Sequence, residues 1–334
     1  MATLLEASVA AAELRGDRAE QQLSQSMLLA AWNAIGQGER SAALLEQLRG
    51  EALPPLAEML VIDARCSLHF ERGEFAELRT LFDQVMQRLL AQASLLAWWM
   101  VSPPTAWAAI PGLGALVERF CSEALHRCGD RELPMRATLH ALQAATLLWS
   151  GRIDEAARRA AEAEADARWL ARAPEIAVSL DSVRLFVDAL RGDADGVRRR
   201  LDRLFHHEDA TAAPDRLRFW RAHVAQLAVR ALDLLGVGAD ALRHWQARLP
   251  TPRPGEPDPL AARLLAAEAR WPEAAEAFAA LLPHVPSVGL AGQGIELHLR
   301  ASHALLKAGR SDEAGAPLAR ALARVVEWAR TAMR

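Results

Sequence analysis

The chain has 334 residues, with 39 basic against 42 acidic side chains, a net charge of −3, and 51% hydrophobic residues drawn mainly from Ala and Leu. That balance supplies no field for a nucleic-acid backbone or an anionic membrane, and the absence of Tyr together with few β-branched runs favours helix over sheet. There is enough apolar side chain to bury a continuous core, in two ordinary domains or in one long array.

The N-terminus, Met1 to Glu6, has no basic region ahead of an apolar run and carries an early glutamate, so it does not read as a signal peptide. Gly16-Asp17-Arg18-Ala19-Glu20 opens a helical stretch to about Ile35. Gln37 to Glu46 follows, and the break at Leu53-Pro54-Pro55 precedes a hairpin running to Phe75. No apolar run approaches the ~20 residues that span a bilayer. Cys66, Cys121 and Cys128 are odd in number and cannot form a disulfide framework; they read as small buried apolar residues in a reducing compartment, which makes a soluble cytoplasmic protein the expectation.

Turn glycines measure out the chain. Gly38, Gly73, Gly112, Gly151, Gly192, Gly236 and Gly309 are spaced with Ala269, which stands where a glycine is expected, at intervals of 33 to 44 residues. Each interval holds two helices and two connections, and the best copies are Gly151-Arg152-Ile153-Asp154-Glu155-Ala156 and Gly309-Arg310-Ser311-Asp312-Glu313-Ala314. Glycine accepts the left-handed conformation that ends the first helix. Asp193, Ser311 and Asp312 then offer oxygens to free amides, and Glu155, Glu273 and Glu313 sit in the first turn, where the helix dipole favours them. Ala156, Ala241, Ala274 and Ala314, with Ala163 and Ala321 further on, permit close approach of two helices; Phe82, Trp245, Phe278 and Leu318 fill the space between.

These copies resemble tetratricopeptide-like repeats, in an irregular form with His140 and His298 where an aromatic usually opens the first helix. The order of segments from Gly16 to Phe75, with Leu147 to Ala156 in the same style, is similar to the helical-repeat region of MalT-type regulators, the ATP-dependent branch of the LuxR-type transcription factors. In that family an ATPase module precedes the repeats and a helix-turn-helix DNA reader follows them. Here no Gly-x-x-x-x-Gly-Lys-Ser/Thr loop is found, and the lone lysine, Lys307, precedes Ala308 and Gly309. The resemblance therefore implies the sensor or docking part alone.

Candidate binding residues fall in two groups. Trp98, Trp99 and Trp107 lie beside the Pro103-Pro104 break, where aromatics can line an apolar pocket or plug irregular packing. Polar stripes at helical spacing run along three first helices: Asp181, Arg184 and Asp188; His223, Gln226, Arg230 and Asp233; Glu296, Arg300, His303 and Lys307. They present donors and acceptors to a ligand, or simply a solvated face. His206-His207-Glu208-Asp209 reads as a polar surface loop, not a metal site, and His298 and His303 are five apart, one too many for a shared face. Arg320, Arg324, Arg330 and Arg334 complement the negative end of the last helix. No nucleophile–base pair, metal spacing or dinucleotide fingerprint emerges.

The expectation is an all-α chain: a right-handed superhelical solenoid of about eight antiparallel helical hairpins, one domain over 1–334 with a flexion point near 250–259. Its function is that of a non-catalytic sensor or interaction module of a transcription-regulatory system, with no cofactor. It binds a small-molecule effector or a protein partner, contacts neither nucleic acid nor membrane, and is compatible with a homo-oligomer. The alternative is a generic adaptor that holds a peptide or helix.

Overall fold

A computed structural model describes residues 2–34, 37–72, 74–91, 94–110, 112–131, 133–167, 174–209, 228, 230–247, 258–284 and 292–332. Among them the regular structure is entirely helical and no strand occurs. The chain divides into two compact units, Met1–Pro104 with Ser122–Asp130, and Thr105–Cys121 with Arg131–Arg334. The flexion point expected near 250–259 falls almost wholly outside the described residues.

The first unit holds α1 (Ala2–Arg15), α2 (Arg18–Ala34), α3 (Gly38–Gln47), α4 (Pro55–Arg72), α5 (Phe75–Leu90) and the short α6 (Leu95–Met100). Pro55 starts α4 because its fixed φ suits a first turn and its missing N–H has no intrahelical partner to lose. Helices α1 and α2 pack together, as do α4 and α5, and α2 also packs on α4. Leu28, Leu29, Leu44, Leu45, Val61 and Ala64 make a shared core, and Phe82, Val85, Met86 and Leu89 bury one face of α5. Gly38 does not end a helix, as the glycine ruler expected; it opens α3, and Gln37 takes the cap position. Gly73 lies outside the described residues.

In the second unit α8 (Pro134–Trp149) pairs with α9 (Ile153–Ala167), α10 (Pro174–Leu190) with α11 (Ala194–Asp209), and α12 (Ala239–Gln246) follows a helical turn at 230–235. Then α13 (Pro259–Ala267) pairs with α14 (Trp271–Leu281), and α15 (Gly292–Lys307) with α16 (Ser311–Ala332). Helix α7 (Gly114–Cys128) carries residues of both units. Each hairpin turn closes in one way. The amide of Gly151 donates to Leu148 at 3.1 Å and that of Arg152 to Leu147 at 2.9 Å, and Gly192/Asp193 and Gly309/Arg310 repeat both bonds. These bonds satisfy the last carbonyls of the first helix, and they require a left-handed residue; φ is 78° at Gly151, 74° at Gly192 and 77° at Gly309. Ala269 makes the same turn at φ 57°, the one non-glycine among the described residues with positive φ.

The small residues sit where close approach needs them. Ala156, Ala160 and Ala163 share one face of α9 at 0% exposure, and Ala274, Ala314 and Ala321 are buried. Trp245, Phe278 and Phe82 are core residues as expected, whereas Leu318 is 40% exposed. Asp193 caps α11 by accepting from the Gly196 amide at 2.8 Å. Ser311 and Asp312 do not cap: they lie inside α16, and Arg310 holds the preceding position. Residues 206–209 belong to α11 and are not the loop the sequence suggested, because the apolar row Val197, Leu201, Leu204 carries the helix past them. All three cysteines are buried and unbridged. No helix is long and apolar enough to cross a membrane.

Candidate functional site

The tryptophans beside Pro103-Pro104 separate by burial. Trp98 is 0% and Trp107 1% exposed, while Trp99 is 42% exposed. Trp98 is packed under the Arg127 guanidinium at 5.2 Å, and Arg127 donates to the Leu90 carbonyl. Of the three tryptophans expected to line an apolar pocket, only Trp99 leaves ring surface open to solvent.

The α10 stripe belongs to an ion lattice between α9, α10 and α11. Arg200 reaches Glu164 and Asp181, each at 3.0 Å, and Asp188 at 3.4 Å; Arg203 holds Asp181 at 2.8 Å; Arg184 faces Glu164 at 3.3 Å. Three cations meet three carboxylates, so Arg184 and Asp188 are spent on each other's neighbourhood. Burial alone would lower the Arg200 pKa; the hydrogen bond it donates to Asp181 and the nearby carboxylates more than offset it.

A second cluster joins 230–235, α13 and α15, and it is not balanced. Arg263, with 3% of its side chain exposed, is ion-paired to Asp233 and to Glu296, the latter at 3.0 Å. Arg300 reaches Asp233 at 3.1 Å and Glu296 at 2.8 Å. Arg230 approaches Glu296 at 3.7 Å and lies over the Trp149 ring at 5.5 Å. Among the described residues its buried Nη1 has no hydrogen-bond partner. Three cations thus share two carboxylates among the described residues. Burial pulls the Arg230 pKa down, with Glu296 opposing, and pushes that of Asp233 up against Arg263. Burial would also raise Glu296, but Arg263 and Arg300 hold it below the usual carboxylate value. Of the predicted site residues, His223 and Gln226 lie outside the described residues.

The first unit contains a cavity that the sequence reading did not single out. It has a volume of about 360 Å³ and opens between α3 and α4. Ala42, Leu45, Glu46 and Arg49 line it from α3 and the turn after it; Arg65, Leu68, His69 and Arg72 line it from α4. Both walls follow the spacing i, i+3, i+4, i+7, which puts four side chains on one helix face. Glu46 is paired with Arg49 at 3.0 Å. His69 Nδ1 is 2.6 Å from the Glu74 carboxylate, which can only accept when ionised, so Nδ1 donates. Arg65 and Arg72 have no carboxylate partner among the described residues. The signal was present as Arg65-x-x-x-His69-x-x-Arg72, but on a helix rich in apolar residues it reads as one more solvated stripe.

Among the described residues no group of three or more His, Cys, Asp or Glu side chains is placed to hold a metal ion. No protein-family model matches the chain, and no curated protein matches it.

Proposed function

We propose that the chain is a non-catalytic sensor or interaction module that binds a small effector and passes its bound state to a transcription-regulatory machinery. The observation that carries the effector half of this reading is the cavity between α3 and α4. Its volume of about 360 Å³ lies at the lower end of the range for small-molecule sites, about 300–1,000 Å³, and its lining is mainly polar, with Ala42, Leu45 and Leu68 among Glu46, Arg49, Arg65, His69 and Arg72. The link to transcription is supported by the resemblance of the segments from Gly16 to Phe75 to the repeat region of MalT-type regulators. The right-handed superhelical stacking belongs to the same proposal. It is supported by the recurring turn at Gly151, Gly192, Ala269 and Gly309, and by the packing of α9 on α10 and of α14 on α15, each joining one hairpin to the next. In such an array a ligand held between two helices biases their spacing and so the geometry of the neighbours.

The alternative, a protein-binding adaptor, is favoured by a different observation. Leu318, Leu322 and Val325 leave 40%, 55% and 44% of their surface exposed along α16, a row at helical spacing that suits a partner helix. Native mass spectrometry of the freshly purified chain, followed by thermal melts, tests both. A retained small molecule whose removal lowers the melting temperature is expected. Stabilisation by a protein partner alone, with no small molecule bound, transfers the assignment to the adaptor.

A further inference from the structure

The geometry points to a small organic dianion as the occupant of the α3–α4 cavity, with one anionic group held by Arg65, the other by Arg72, and an apolar spacer over Leu45 and Leu68. This rests on the effector-binding reading and names its ligand class.

The charge accounting in the first unit leads there. Arg15, Arg18, Arg40, Arg49 and Arg88 each face a carboxylate of the same unit, at Glu20, Glu51, Glu6, Glu46 and Glu58. Among the described residues Arg65 and Arg72 do not, although both line the one cavity described there. The acids at its rim are already engaged: Glu46 by Arg49, and Glu74 by His69. The cavity therefore carries two positive charges with no internal counterion among the described residues. Arg65 is half-buried, so part of its hydration is lost without replacement.

The spacing defines the ligand. Positions i and i+7 are separated by about 10.5 Å of helix rise, with His69 on the same face between them. A single compact anion reaches one guanidinium; two anionic groups joined by a short chain reach both. Each carboxylate or phosphate can take the two parallel N–H donors of one guanidinium, the strongest neutral-pH recognition a side chain offers. Ala42, Leu45 and Leu68 supply the apolar side chains of the lining, and these can contact the methylene groups of a spacer. His69 has Nδ1 committed to Glu74, which leaves Nε2 as its remaining polar atom at the cavity.

The test uses the full chain with adipate, succinate, inorganic phosphate and neutral adipamide as probes, at constant ionic strength set with chloride, read by calorimetric titration and thermal melts. A dicarboxylate is expected to bind saturably, more tightly than phosphate, with adipamide silent. Arg65→Gln and Arg72→Gln should each weaken it about tenfold or more. Arg72 is exposed, so Arg72→Gln is expected to fold normally, and it serves as the deciding variant if Arg65→Gln lowers stability. Two results overturn the assignment: no saturable binding by any of the three anions, or equal affinity for wild type and Arg72→Gln. If adipamide binds, or a neutral molecule is retained in the native spectrum, the dianion is wrong while effector binding stands. If the chain binds no probe and retains no small molecule, both fall.

Discussion

The backbone amide of Arg270 donates to the Leu265 carbonyl at 2.9 Å, closing around an alanine the turn that Arg152 and Arg310 close around glycine. The side chains continue the correspondence. Arg270 donates to Glu273 through Nε at 3.1 Å, as Arg152 does to Glu155 at 2.7 Å and Arg310 to Glu313 at 2.6 Å. One local code therefore joins the helices of three hairpins: a left-handed residue, then an arginine that grips the first turn of the next helix. These arginines are about half-exposed, so each pair adds little to stability and mainly orients the entry to the second helix.

Ala269 holds φ 57° at a position where its counterparts are glycine. A left-handed alanine is strained by about 1–2 kcal/mol, partly offset because glycine loses more backbone entropy on folding. Ala269→Gly should therefore stabilise the chain by about 0.5–1 kcal/mol, seen as a higher urea midpoint at unchanged m. In the reverse direction Gly309→Ala should destabilise it by a similar amount. A Cβ at Gly309 meets nothing within 4 Å, so backbone conformation is the whole of the effect. A lower midpoint for Ala269→Gly would show that the turn is not under strain.

Ala314 follows that turn in the last hairpin and is 3% exposed, with its carbonyl accepting from the Ser302 hydroxyl at 2.9 Å. That hydrogen bond ties α15 to the first turn of α16, where the Ala314 side chain is buried. Ala314→Leu should destabilise by about 1–3 kcal/mol through overpacking, measured by chemical denaturation. Ala319→Leu, on the exposed side of the same helix, is the control and should be within about 0.5 kcal/mol of wild type. Equal effects at the two positions would mean that Ala314 does not sit at a tight crossing.

How much of this was legible follows from how local each signal is. The hairpin turns were readable because glycine, arginine and glutamate act within six residues, and even Ala269 announced itself by its position in the interval. Gly38 misled because a glycine before a polar run can open a helix as well as close one. Trp98 and Trp107 were ambiguous in sequence because burial depends on which helices arrive from elsewhere in the chain. The basic cavity was not recognised for the same reason. Arg65, His69 and Arg72 are visible as a stripe, but what faces them is set by α3, whose one carboxylate at the cavity, Glu46, is paired with Arg49. Likewise the deficit at Arg230 appears only when α13 and α15 supply Arg263, Glu296 and Arg300.

That deficit separates two buried arginines of one cluster. Arg263 is the most buried partner of both Asp233 and Glu296, which are 12% and 24% exposed, so Arg263→Met leaves them to Arg300, whose side chain is 34% exposed. Loss of about 1.5–3 kcal/mol is expected, the magnitude of a lost hydrogen bond to a charged group. Among the described residues Arg230 is the least engaged of the three cations, with its one carboxylate at 3.7 Å and Nη1 unbonded, and Arg230→Met leaves Arg263 and Arg300 facing both carboxylates. It should be neutral or stabilising by about 1 kcal/mol, because a methionine of similar length still packs on Trp149. Thermal melts of the two variants, side by side, decide the point. A large loss in both would mean that Arg230 has a partner as strong as that of Arg263.

Asp63 gives the fold a pH dependence of its own. It lies on α4 beside the buried Cys66, and burial pushes its carboxyl from 3.8 up to about 7. The folded chain thus binds a proton that the unfolded chain releases at pH 3.8. Its stabilising effect is complete below about pH 4, declines as pH rises, and is gone above about pH 7. At about 1.4 kcal/mol for each pKa unit, the upper bound on the change is about 4 kcal/mol. The urea midpoint of the wild type should fall between pH 5 and 8. Asp63→Asn should flatten that slope and raise the midpoint at pH 8, since the amide keeps the shape and cannot ionise. Cys66 does not contribute in this range, because burial first, and the Asp63 charge second, lift its thiol far above neutral pH. A wild-type midpoint that stays level from pH 5 to 8, or an unchanged slope in Asp63→Asn, would place the Asp63 carboxylate in water.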